Sequence, residues 1–394
     1  MVTAFMDMVG LLMLLPLLPF YAVEMGGNGL VVGLLVSSFA VAQLLSAPLW
    51  GRVSDRYGRR PALLIGLGAS VVAYLIFAYA TSLWLLFLSR LVQGAGGGTV
   101  GVIQAYVADA TEPQNRAKSL GWLSAATNLG VTIGPVLGSW ARGWSNEAPG
   151  LLAAGLCLVT MLFAWRFLRE SHDVAAAHAA GRSPARSREA VWRVLHQPAE
   201  PAPRLIWIYA IAMGAFQGMN AILALFLAHR FVGIDERTIG YYYMYIGALS
   251  VLTRALVLGR MVDWLGEPRL SRVGTLLLAA GLALLPLTRG YGALALVAAL
   301  IPLGTAFTFP CVTAMLSRVI GAHERGLYLG VQQTFGGVAR VLSPVWAGWA
   351  FDRLGVGAPF WSGALLVAGT LLLGLGLEAH LGREPARAAP SPAG

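Results

Sequence analysis

Charge is what this sequence has least of. Only 12% of its 394 residues are Asp, Glu, Lys or Arg, about half the share of a soluble globular chain. Cysteine is nearly absent too. Cys157 and Cys311 stand alone in apolar segments, which excludes a disulfide framework or a thiolate metal site. The six histidines, His172, His178, His196, His229, His323 and His380, fall in loops or at the ends of apolar runs, and H-E-x-x-H does not occur. Zinc or imidazole chemistry at membrane depth, as an embedded protease or lipid transferase would need, has no residues to carry it. No G-x-x-x-x-G-K-[ST] is found, and GGGTVG at 96–101 matches G-x-G-x-x-G only in letters, since no strand precedes it. No enzyme activity, cofactor, metal or nucleic-acid partner is expected. The first apolar run opens without a basic n-region or a cleavage site and reads as a retained helix.

What fills the chain instead is hydrophobic sequence, 57% of all residues. Runs long enough to cross about 30 Å of hydrocarbon recur twelve times, near 2–23, 29–50, 62–80, 82–105, 119–141, 150–168, 204–228, 239–258, 270–287, 291–317, 326–350 and 359–379. Backbone polar groups cannot stay unpaired in lipid, so these runs must be helices. The expected fold is an all-α membrane protein of twelve transmembrane helices in two six-helix bundles. Residues 1–168 form the first bundle, 169–203 a cytosolic linker with one short amphipathic helix near SREAVWRVLHQ, 204–380 the second bundle, and 381–394 a disordered cytosolic tail.

The formal charge of +10 reports topology. With both termini in the cytosol, only Arg142, Arg230, Arg237, Arg289 and Arg353 reach the outer side. Arg90, Arg254 and Arg340 lie within spans, and the other twenty of the 28 basic residues are cytosolic. That asymmetry is the positive-inside pattern, and it predicts a multi-pass protein of the cell membrane, in a bacterium the inner membrane.

The halves repeat. GRVSDRYGRRP at 51 returns as GRMVDWLGEPR at 259, pairing Asp55 with Asp263 and Gly58 with Gly266. NRAKSLGWLSAATNLGVTIGPVLGSW at 115 returns as ERGLYLGVQQTFGGVARVLSPVWAGW at 324, pairing Pro135 with Pro344. Two related bundles on a long linker form the architecture of a rocking transporter with its site between the halves.

These segments resemble the major facilitator superfamily, in particular its drug:proton antiporter branch, which includes the tetracycline exporters. GRVSDRYGRR fits that family's loop signature G-x-x-x-D-R-x-G-R-R, LSRLVQGAGGG at 88–98 is similar to its fourth-helix R-x-x-Q-G, and GVTIGPVLGS at 130–139 resembles its antiporter helix signature with Ser139 in place of the last glycine. MDMVGLLMLLPLLP at 6–19 resembles the first helix of tetracycline exporters. Ala73 stands where those exporters carry an acid before the third-helix tyrosine, and their later membrane histidine and aspartate have no counterpart here. The resemblance implies proton-coupled efflux of hydrophobic or amphipathic compounds by a monomer. A proton-coupled carrier of a metabolite (sugar, amino acid or organic anion) is the alternative within transport, and a channel is a third reading.

The segment Gly51, Asp55, Arg56, Gly58, Arg59, Arg60, with Asp109 as the partner that the resemblance implies for Arg59, reads as a cytosolic gate holding the halves in the outward-facing state. A topology signal facing anionic lipid is the plainer reading. Asp263 keeps the acid of the second copy, but Trp264 and Glu267 replace arginines, so a weaker second gate is expected. Ionisable residues in spans are functional candidates because their burial is costly. Asp7, Arg90 and Arg340 are read as the proton-coupling set. Each has an alternative: Asp7 as decoration of a helix N-terminus, Arg90 as a structural clamp, Arg340 as a binding group for an anionic substrate. Arg254, five residues before Gly259, reads as snorkelling to the cytosolic face. Gly130, Gly134 and Gly138 share one helix face beside Pro135, for a tight contact between the halves or for ordinary helix packing. Asn128, Phe216, Gln217, Asn220, Tyr241, Tyr245, Gln332 and Gln333 are the expected cavity lining.

Overall fold

The computed structural model describes residues 1–97, 99–112, 115–168, 170, 184–321 and 324–377; the expected tail at 381–394 and most of the linker before residue 184 lie outside the described residues. The described chain is helical. In the first half the elements are α1 (Val2–Leu14), α2 (Leu18–Glu24), α3 (Gly29–Tyr57), α4 (Arg59–Ala78), α5 (Leu83–Gly96), α6 (Thr99–Asp109), α7 (Arg116–Arg142) and α8 (Ala148–Phe167). Helix α9 (Pro184–His196) lies in the linker. The second half holds α10 (Pro201–Arg230), α11 (Ile239–Leu252), a π-helical turn (Thr253–Val257), α12 (Leu258–Leu284), α13 (Tyr291–Val319), α14 (Arg325–Arg353) and α15 (Ala358–Gly374).

Among the described residues nine helices are long and apolar enough to cross a membrane. One of them, Ile239–Leu287, reverses at Gly266 and supplies two spans, and the more polar Arg325–Arg353 and the shorter Ala358–Gly374 complete twelve. The first span is broken between α1 and α2, where Pro16 removes a backbone donor and Pro19 opens the next helix. The fourth is broken after Gly96.

Both halves use the same hairpin at the end rich in arginine, here called the basic end. Gly58 (φ 102°, ψ 160°) and Gly266 (φ 74°, ψ 157°) take nearly the same left-handed turn, which a side chain would strain. In the first bundle α1 packs on α7 and α8, and α4 packs on α5 and α8; in the second, α10 packs on α14 and α15, and α12 on α13 and α15. The bundles meet along α3 with α14 and α7 with α11, positions that the repeat relates to each other. Helix α9 docks on the second bundle: Val194 and Ala190 are buried with Leu205, Ile206 and Tyr328, and Arg193 donates to the Tyr328 hydroxyl at 3.1 Å. That hydrogen bond raises the Arg193 pKa.

Candidate transport site

A cavity of about 400 Å³ lies between the bundles, within the usual range for small-molecule sites. Its wall is mostly apolar, with Leu11, Leu15, Phe39, Phe216 and Phe309 among its residues. Of the expected lining, Asn128, Phe216, Gln217 and Asn220 reach it. Tyr241, Tyr245 and Gln332 do not: Tyr241 is 61% exposed on the outside of α11, Tyr245 donates to the Ala295 carbonyl at 2.9 Å, and Gln332 is buried with the Thr313 hydroxyl at 3.4 Å. Gln333, also absent from the wall, is exposed, accepting from Arg340 and donating to the Tyr209 hydroxyl. The correction within YYYMY follows from helix phase. Gly240 packs on α7, which turns Tyr243, Ile246, Gly247, Ser250 and Arg254 toward the cavity as one stripe and points Tyr241 and Tyr245 away.

All three arginines within spans line this cavity. Arg254 is therefore not a snorkelling residue. Its helix continues through the π-helical turn to Gly266, twelve residues or ~18 Å farther, which leaves Arg254 near mid-depth. There its Nη1 donates to Asn128 Oδ1 at 3.4 Å. Arg340, fifteen residues into the 29-residue α14, is also near mid-span, and its Nη2 donates to Gln333 Oε1 at 3.4 Å. Arg90 is 2% exposed, with its guanidinium 5.4 Å from the centroid of Phe77. Among the described residues, the wall includes no Asp, Glu, Lys or His.

Asp7 is 8% exposed and does not border the cavity. It is not a terminal decoration either. Neighbouring Phe5 and Val9 pack on Gly130 and Gly134, fourteen and eighteen residues into α7, so Asp7 sits deep in the first bundle. One turn farther along α1, Gly10 packs against the Tyr74 hydroxyl and ring. The Tyr74 hydroxyl accepts from Gln93 Nε2 at 2.9 Å, and Gln93 is one helical turn from Arg90 on α5. Tyr74 and Gln93 thus place polar groups between α1 and α5, while among the described residues Gln93 Oε1 and Arg90 Nη2 are buried without a hydrogen-bond partner.

The glycines of the antiporter-like helix pack inside one bundle. A Cβ on Gly130, Gly134 or Gly138 would meet Phe5 O at 2.6 Å, Val9 O at 2.8 Å or Met13 O at 2.1 Å, all on α1. The contact between halves is made by the adjacent face of α7. There the Pro135 carbonyl meets Gly240, and Ser139 Oγ accepts the Gly240 N–H at 2.9 Å. The repeat builds a matching contact where Gly33 meets the Pro344 carbonyl. Beside it Ser37 donates to Val341 O at 2.6 Å, and Asp352 accepts the N–H groups of Gly29 at 2.9 Å and Leu30 at 2.8 Å. These contacts seal the end opposite the basic one. Toward the basic end the site continues into a second cavity of about 790 Å³, which shares Asn128, Arg254 and Phe309 and extends to Ser317 and Leu329.

Among the described residues, the side-chain hydrogen bonds of Arg59 in the basic-end cluster run within the first bundle. Arg59 donates to Asp109 at 3.0 Å, to Asp55 at 2.6 Å and to Ser54 Oγ at 2.9 Å. These partners sit on α6 and α3, since the tight turn at Gly58 aims the guanidinium sideways at its neighbours. Glu170 caps the start of α4, accepting the N–H of Arg59 at 2.8 Å and of Arg60 at 3.1 Å. Arg60 also donates to the Trp165 carbonyl, Arg56 lies over the Tyr57 ring, and Gly51 and Asp263 are exposed. In the second bundle Glu267, the counterpart of Arg59, accepts from Arg318 at 2.9 Å, the counterpart of Asp109. The bridge survives with its charges exchanged, so the second copy is not simply depleted.

Residues 1–344 and 255–393 match the family model described as Major Facilitator Superfamily. Multidrug resistance protein 2 of Bacillus subtilis (strain 168) is 28% identical over 95% of this chain and 92% of its own length. Tetracycline resistance protein, class G, of Vibrio anguillarum is 30% identical over 93% and 92%. The crystal structure of the human organic anion transporter MFSD10 superposes with a TM-score of 0.71 at 24% identity, over 95% of this chain and 97% of that one. At that identity the likeness is one of fold.

Proposed function

The chain belongs to the Major Facilitator Superfamily, and on that premise we propose that it is a secondary active exporter, a monomer in a bacterial inner membrane with its basic end and both termini in the cytosol. It expels hydrophobic or amphipathic small molecules in exchange for protons by alternating access. The observation that carries this reading is the asymmetry of the central cavity: closed at one end by two repeat-related glycine–proline contacts and continuous with a second cavity toward the other. That is the inward-facing half of an alternating cycle, and the repeat supplies the symmetry by which rocking opens the other side.

Asp7 is the proton carrier in this reading. A carboxylate deep in an apolar bundle binds a proton readily when desolvated and releases it when a cation or water approaches. In this reading Tyr74, Gln93 and Arg90 carry the coupling by which cargo arriving at the wall and the charge on Asp7 influence each other. A proton falling through 100 mV releases about 2.3 kcal/mol, enough for a roughly fiftyfold concentration ratio. The test is susceptibility of cells expressing the wild type or Asp7→Asn to a panel of hydrophobic toxins. Protection by the wild type that Asp7→Asn lacks at equal expression supports the reading. Protection against no compound refutes export.

A further inference from the structure

The central cavity holds three guanidinium groups and, among the described residues of its wall, no carboxylate. Nor does any described carboxylate form an ion pair with Arg90, Arg254 or Arg340. Their hydrogen bonds are long and to neutral groups: 3.4 Å to Asn128, 3.4 Å to Gln333 and 3.5 Å to the adjacent Ser89 hydroxyl. Donors remain unspent. Arg90 Nη2 and Arg254 Nε are buried with no hydrogen-bond partner, and Arg90 is almost fully enclosed. Unpaired cations in an apolar wall are expensive to keep, and a π-helical turn surrounds Arg254, a distortion found mostly at functional sites.

We propose that the cargo is an amphipathic organic anion: a carboxylate or sulfonate carried on a hydrophobic ring system. Arg254 and Arg340, both on the cavity wall on α11's extension and α14, grip the acid group, for which guanidinium forks are well shaped. The ring system lies against Leu11, Leu15, Phe39, Phe216 and Phe309. The two neutral amides, Asn128 and Gln333, hold the forks in place while the cavity is empty and give way when the anion arrives. Arg90, on the wall of the first bundle and one helical turn from Gln93, which donates to Tyr74, is the group through which an anion's arrival is felt by the proton site. This assignment rests on the export reading and narrows its substrate class. It also fixes the charge moved: one proton entering for one monoanion leaving carries two elementary charges inward, so turnover is strongly electrogenic.

The test uses the full chain in proteoliposomes under an imposed proton gradient, with naphthalene-2-sulfonate and (2-naphthyl)trimethylammonium, which share a ring system and carry permanent opposite charges. The sulfonate should accumulate at least tenfold faster than the ammonium. Arg254→Gln and Arg340→Gln should each slow it at least tenfold, and Arg340→Lys, which keeps the charge, should recover a third or more of the rate. Sulfonate binding to the detergent-purified protein, read by tryptophan fluorescence, should weaken at least tenfold in the same Gln variants at unchanged melting temperature, a measurement that needs no turnover. Accumulation of the ammonium at an equal or greater rate, or wild-type sulfonate transport by both Gln variants, overturns the anion assignment and leaves export standing. If the wild type neither accumulates nor binds the sulfonate, the anion assignment falls, while export stands or falls on the toxin panel.

Discussion

Adding one methyl group at Gly33 or Gly240 should force the closed end of the transporter open. A Cβ on Gly33 would lie 2.1 Å from the Pro344 carbonyl oxygen and 2.8 Å from its carbon; one on Gly240 would lie 2.5 Å from the Pro135 oxygen and 2.8 Å from Ser139 Oγ. These neighbours are mainly backbone of the opposing bundle, so the clash is relieved by separating α3 from α14, or α7 from α11. The helix-propensity gain of Gly→Ala is common to both conformers and cancels from the equilibrium between them; only the clash is differential. Overpacking of this kind costs about 1–3 kcal/mol, which shifts the balance about 5- to 150-fold toward the outward-open state. Both native cysteines are buried, so spin labels can be placed selectively at Ser145 and Val232, exposed loop positions at that end of each bundle. Gly33→Ala and Gly240→Ala should both populate a longer distance. Gly155→Ala, where a Cβ meets nothing within 4 Å, should not. Distance distributions identical to wild type in both seal variants would refute the assignment of these contacts as the closed gate.

Other perturbations follow from the same geometry. Asp352→Asn removes a charged cap that crosses between the bundles, and the loss of about 1 kcal/mol should raise the outward-open population about fivefold in the same distance measurement. The Arg59→Glu and Asp109→Arg single variants should each lower transport, whereas the double variant should regain more than half of the loss, because Glu267 and Arg318 already make that exchanged pair; a double variant no better than the worse single would contradict the tie. Gln93→Leu removes the hydrogen bond to Tyr74 and should reduce transport driven by a pH gradient at least tenfold while leaving exchange of labelled for unlabelled substrate at equilibrium within about twofold.

The twelve spans are legible in the sequence because crossing lipid imposes a length and an apolar composition on every helix. The repeat is legible because its residues sit at nearly constant offsets. What the letters could not give is helix phase and the partner of most charges; the Arg59–Asp109 pair, which the family resemblance implied, is the exception. Tyr241, Tyr243 and Tyr245 are chemically identical, and only the packing of Gly240 on Pro135 selects the middle one for the cavity. Arg254 looked close to a loop because Gly259 resembles Gly51, yet the helix runs on through the π-helical turn to Gly266. Glu267 looked like a lost arginine until Arg318, fifty-one residues later, proved to be its partner. The glycine face of α7 could have served either neighbour, and α1 takes it. Ser139, by contrast, stands where the family signature has glycine, and its hydroxyl is one of the groups that join the halves. Glu170 carried no signal at all, since its role is to cap a helix 111 residues earlier.

The central claim is that protons drive cargo uphill through a site exposed to one side at a time, with Asp7 as the proton carrier. Its most direct test is transport by proteoliposomes of wild type and Asp7→Asn in two modes, accumulation under an imposed pH gradient and counterflow without one. The account predicts that the wild type does both and that Asp7→Asn keeps counterflow but loses accumulation. Gradient-driven accumulation by Asp7→Asn at the wild-type level would contradict it.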